Sequence, residues 1–164
     1  PETDIDALIA LLEGNTDTHL LDGMKPLVSG WATGRLIGGN LELVTRLLGT
    51  PFSFDPKGAL LVLEEIGERP YRVDRQLTQL QLAGWWSQLV GIVVGDFHQC
   101  GDATSDPSVH AVVAERLSGL TIPVVTGAPL GHGARNRALP LGGPAELDAD
   151  RGLLVAKVPW FRRT

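Results

Sequence analysis

Two uninterrupted apolar runs, residues 59–63 and 89–94, constrain this chain most. Neither alternates between apolar and polar positions. A strand with one wet face must alternate, so these runs read as strands buried on both faces. Such strands need cover on both sides, and the segments around them supply helices. Residues 71–83 carry Val73, Leu77 and Leu80 at helical spacing, with Pro70 in the first turn. Asp106-Pro107 caps a helix whose inward positions are Val109, Val112, Val113 and Leu117. Asn40 is a good N-cap for a helix through Leu48, with Leu41, Val44 and Leu48 inward.

The ends of the chain read differently. Residues 3–13 place Ile5, Leu8, Ile9 and Leu12 on one helical face, and Gly14-Asn15 stops the helix. Residues 26–37 read as two short strands broken at Gly30, where Gly34 marks a bulge or a close backbone approach. Residues 95–105 form a polar loop, and 122–125, 137–141 and 152–158 read as strands. Helices alternating with buried strands, and strand-rich ends, imply an α/β domain with mixed sheets and flanking helices.

The 164 residues fit one domain, and the formal net charge of -5 argues against a nucleic-acid partner. No apolar run is long enough for a membrane helix. The single cysteine, Cys100, rules out an internal disulfide and is compatible with a reducing compartment. The opening Pro1-Glu2-Thr3-Asp4 has no basic n-region and no start methionine, so it reads as a chain beginning partway through a longer polypeptide.

Four places could carry chemistry. Glu64-Glu65 ends the first apolar run, where charge is costly. Strand side chains alternate, so one carboxylate can face a site while the other meets a cation such as Arg72 or Arg75. Equally, both could begin a solvated loop. His132 projects from Gly131-His132-Gly133 after a buried strand. A histidine with a carboxylate partner is the base-plus-orienter pair of nucleophilic catalysis, although a loop histidine can also merely bond backbone.

Asp96-Phe97-His98-Gln99-Cys100, with Asp102, Asp106 and His110, holds metal-ligand types, but the spacing matches no zinc pattern. Nothing in the sequence orients His98 toward a Cys100 nucleophile. The glycines from Gly34 to Gly39 give neither a dinucleotide fingerprint nor a P-loop and read as a structural turn and cap. Trp85-Trp86 reads as core or interface. No serine sits in a nucleophile elbow; Ser29, Ser53, Ser87, Ser105, Ser108 and Ser118 occupy strand, loop or cap contexts.

The ordered set of segments resembles the LD-carboxypeptidases of serine peptidase family S66, which include muramoyltetrapeptide carboxypeptidases and microcin C immunity peptidases. The matching stretches begin with Gly34-Arg35-Leu36-Ile37-Gly38-Gly39-Asn40-Leu41 and Leu61-Val62-Leu63-Glu64-Glu65. Pro70-Tyr71-Arg72-Val73-Asp74-Arg75-Gln76-Leu77 and Gly91-Ile92-Val93-Val94-Gly95-Asp96-Phe97 follow. Pro129-Leu130-Gly131-His132-Gly133 and Leu139-Pro140-Leu141-Gly142 close the set.

The resemblance implies a swivelling β/β/α-type C-terminal domain over residues 25–164, with residues 1–24 as a linker helix from an absent serine-bearing domain. It implies Glu64 and His132 as two members of a catalytic triad, the nucleophilic serine lying outside this chain. It also implies removal of the terminal D-Ala from a murein tetrapeptide in the cytoplasm, a homodimer, and no metal or organic cofactor. Two rivals remain: an immunity-type peptidase of the same family, and a non-catalytic dimerisation or docking module.

Overall fold

The computed structural model describes residues 5–13, 19–101 and 107–157. Helix α1 (Ile5–Leu12) is followed by β1 (His19–Leu21), β2 (Lys25–Val28) and β3 (Trp31–Asn40). Then come α2 (Leu41–Arg46), β4 (Ala59–Ile66), α3 (Pro70–Leu82), β5 (Gly91–His98), α4 (Val109–Leu117) and β6 (Val124–Thr126). Strands β7 (Pro144–Asp148) and β8 (Leu153–Ala156) close the order. No helix among the described residues is long and apolar enough to cross a membrane.

The strands form one mixed sheet in the order β1-β8-β7-β3-β4-β5-β6-β2. Its centre, β3 to β6, is parallel, because α2, α3 and α4 each make a crossover. The outer strands pair antiparallel. The sheet is strongly curled. Strands β2 and β3 are four positions apart, about 19 Å in a flat sheet. Yet only Ser29 and Gly30 link them, a reach of roughly 11 Å. Across the inside of the curl, a Cβ at Gly91 of β5 would lie 3.2 Å from Leu147 of β7.

The curl divides the core in two. On one face Ile37, Leu61, Leu63, Ile92 and Val94 pack under Leu41, Val73, Leu77, Leu80 and Leu117 of the helices. On the other, Leu60, Val62 and Val93 pack with Leu36 of β3 against Leu147 and Leu154 of the outer strands β7 and β8. Both faces of β4 and β5 are therefore dry, which is why their sequences are apolar without alternation.

The local signals hold where they rest on one element. Asn40 caps α2, its side chain accepting from the Leu43 N–H, although the helix ends at Arg46 rather than Leu48. Pro70 opens α3 with Val73, Leu77 and Leu80 buried. Ser108 caps α4 in the place assigned to Asp106, which lies outside the described residues. Trp85 is buried and Trp86 packs against the same core. Gly34 is a close approach: a Cβ there would come within 2.7 Å of the Gly58 carbonyl.

Residues 137–141 are not a strand. Pro140 lacks a ladder donor, and the segment turns on itself, Leu141 N–H donating to Leu139 O and Arg137 N–H to Pro129 O. The strand of this region is β7, whose Leu147 completes the inner core.

Candidate functional site

The site lies at the carboxyl ends of the parallel strands, where α/β sheets open crevices. Glu64 is near the end of β4, in step with Leu60 and Val62, so it emerges on the inner face of the curl. Glu65 is in step with Leu61 and Leu63 and emerges on the helix face.

The two carboxylates have different fates. Glu65 is 2% exposed and works as an acceptor for the start of α2. It receives the Asn40 side-chain amide at 2.7 Å, the Glu42 N–H at 2.8 Å and its own neighbour Ile66 N–H at 2.9 Å. The expected cation is not its partner. Arg72 pairs with Glu68 at 3.4 Å, and Arg75 lies over the Tyr71 ring. A buried carboxylate at a helix N-terminus needs no arginine, because backbone donors already answer it.

Glu64 is also buried, but it points into a cleft of about 520 Å³. His132 reaches it from the loop after β6. That loop continues along β5: Ala128 N–H donates to Val94 O at 3.0 Å, and Asp96 N–H donates to Leu130 O at 2.8 Å. Gly131 then takes φ of +111° and packs directly on Glu64, while Asn136 Oδ1 accepts its N–H at 3.2 Å. The result is a contact of 2.8 Å between His132 Nδ1 and Glu64 Oε2.

The pair is asymmetric. The Glu64 side chain is 11% exposed, whereas that of His132 is 49% exposed. With Glu64 ionised, Nδ1 carries the proton and Nε2 presents its lone pair on the opposite ring edge. That arrangement can accept a proton from a nucleophile and hold the resulting imidazolium. None of the described residues lining the cleft is a serine, threonine or cysteine.

The Asp96–Cys100 segment is split between the two faces. His98 lines the cleft, and its Nδ1 lies 3.5 Å from Asp96 Oδ2. Cys100 turns into the helix-side core, where burial raises its thiol pKa. The two therefore make no nucleophile pair. Asn136 and the Asp96 carboxylate are site residues the sequence did not single out for these roles; an Asn four positions after the histidine was the only local sign.

Fold and site define the class: an α/β domain that presents a buried carboxylate from the end of β4 and a partly exposed imidazole from the loop after β6, with β5 between them. The LD-carboxypeptidase C-terminal domain family matches residues 33–147, and the chain belongs to that family. A putative carboxypeptidase of Synechocystis is 45% identical over 76% of this chain and 42% of its own length. The crystal structure of muramoyltetrapeptide carboxypeptidase from Oxalobacter formigenes superposes with a TM-score of 0.80 at 32% identity, covering 94% of this chain and 54% of that one. The structure of the microcin C7 self-immunity protein MccF in complex with glutamyl sulfamoyl guanosine has a TM-score of 0.74 at 26% identity, covering 86% and 42%. The chain spans less than half the length of the first curated relatives it matches.

Proposed function

We propose that this chain is the C-terminal domain of a serine-type LD-carboxypeptidase and that Glu64 and His132 are two members of its triad. The observation that carries the reading is the 2.8 Å contact between His132 Nδ1 and Glu64 Oε2 at the wall of a cleft. In this reading residues 25–164 are the domain, with β1 pairing β8 at the edge of its sheet, and the chain ahead of β1 leads in from a serine-bearing domain. The serine attacks the carbonyl of an L,D-amide. His132 Nε2 takes the hydroxyl proton and passes it to the leaving D-amino acid, while Glu64 holds the ring and stabilises its charge.

The substrate in this reading is a murein tetrapeptide losing its terminal D-Ala, which agrees with the name of the Oxalobacter neighbour. The family resemblance further supports a cytoplasmic homodimer, and no step calls for a metal or organic cofactor. The test is D-Ala release by the polypeptide joined to its serine-bearing domain. Glu64→Ala and His132→Ala should each lower turnover by about 10³-fold or more. Normal turnover in both variants refutes the assignment.

A further inference from the structure

A carboxypeptidase must tell a terminal carboxylate from an internal amide, and the triad residues do not do this. The Glu64–His132 pair uses Nδ1 on Glu64 and needs Nε2 for the nucleophile. The other basic side chains among the described residues lining the cleft are His98 and Arg137. Of these, His98 is there through a device in the sheet.

Strands β4 and β5 run in register through Leu63 and Val94, and then slip: the next pairs are Glu65 with Phe97 and Ile66 with His98. One extra residue is taken up on β5 at Gly95–Asp96, a bulge beside Glu64. Its effect is visible in the packing. Val94 and Phe97 both lie in the helix-side core, although they are three residues apart. Strict alternation after Val94 would have sent Phe97 to the cleft and His98 into that core. The bulge exchanges them. Just after it, Gln99 takes φ of 52°, the one non-glycine residue with positive φ among the described residues. A bulge and a left-handed residue in succession are local costs that re-aim a side chain, and both sit at the cleft.

We infer that His98, aimed into the cleft by the β5 bulge, recognises the terminal carboxylate of the substrate; this rests on the carboxypeptidase reading above. The His98 Nδ1 lies 3.5 Å from Asp96 Oδ2, and the residue lines the cleft. An imidazole N–H of His98 turned to the cleft donates to the carboxylate. A sphere with the cleft's volume is about 10 Å across, so a peptide end held at His98 is within reach of His132. His98 is thus a specificity-determining residue.

The test uses the polypeptide joined to its serine-bearing domain, with murein tetrapeptide as the free acid and as its C-terminal amide. KM, kcat and the calorimetric Kd are read for wild type, His98→Ala and His98→Gln, with thermal unfolding as the folding control. In His98→Ala, KM and Kd for the acid should rise about 10- to 100-fold, the loss of one charge-assisted hydrogen bond. Values for the amide should hardly move, and kcat for the acid should stay within a few-fold. His98→Gln, which keeps a donor, should retain part of the preference for the acid. An acid-to-amide ratio unchanged in both variants overturns the inference, as does a fall confined to kcat. Glu64→Ala tests the catalytic reading separately: retained turnover there overturns that reading, while the His98 ratio in Kd is still decided.

Discussion

Gly131→Ala gives the most direct test of how the site is built. Gly131 sits at φ of +111° with Glu64 directly beneath it. A Cβ at this position would lie 2.7 Å from Oε2, 3.0 Å from Cβ and 3.3 Å from Cγ of Glu64. Ordinary contact begins at 3.4 Å, so the carboxylate must retreat by roughly 0.7 Å or the loop must lift. Neither movement is easy, because Glu64 Cβ is fixed to a buried strand and the Gly131 N–H is tied to Asn136. A retreat of that size takes the 2.8 Å contact with His132 beyond hydrogen-bonding reach. Misplacement on the scale of 1 Å costs about 100-fold, so kcat/KM should fall by about 10- to 100-fold. The positive φ adds strain of about 1–3 kcal/mol, which lowers Tm by several degrees but leaves a typical domain folded. The assay is D-Ala release with serine-bearing domain present, beside a melting curve. A folded Gly131→Ala variant with kcat/KM within about threefold of wild type refutes the claim that this glycine sets the carboxylate–imidazole geometry.

The two adjacent glutamates should fail in opposite ways. Glu64→Gln keeps the shape but no longer enforces the Nδ1–H tautomer, so turnover should fall by about 10⁴-fold with little change in Tm, as steady-state kinetics and melting would show. Glu65→Ala removes the acceptor for Asn40, Glu42 and Ile66, so chemical denaturation should show a loss of about 2–4 kcal/mol, with kcat of the folded fraction changed far less. The Arg116 guanidinium, 2.6 Å from Asp74 and joining α4 to α3, holds the Asp74 carboxyl below its usual range. A depressed folded-state pKa gives stability that is present above the unfolded value of about 3.9 and lost as pH falls through the folded one. Urea midpoints for Asp74→Asn should therefore lie below wild type at neutral pH and converge with it as pH drops below that range.

Most elements were legible because their signals are local. Helices α2, α3 and α4 announce themselves through caps and inward spacing, and β4 and β5 through apolar runs that need no partner to be recognised. Strand β7 and the turn at residues 137–141 were not legible. Both lie in a Gly- and Pro-rich stretch whose pairing is decided by β3, more than a hundred residues earlier. The curl of the sheet was also hidden, since it follows from which strands become neighbours, and no single segment records that.

The amino-acid sequence alone determined that Glu64 and Glu65 leave a doubly buried strand on opposite faces and that His132 sits on a glycine-bounded turn after another strand. Tertiary structure decided which carboxylate meets the histidine. Glu64 faces the inner curl where the His132 loop runs along β5, and Glu65 faces the start of α2, so burial leaves one to the imidazole and the other to backbone donors. It also decided that His98, and not Phe97, enters the cleft. A strand's period of two can be read from the chain, but a bulge exists only relative to a neighbouring strand, and the slip between β4 and β5 is what turns that period over.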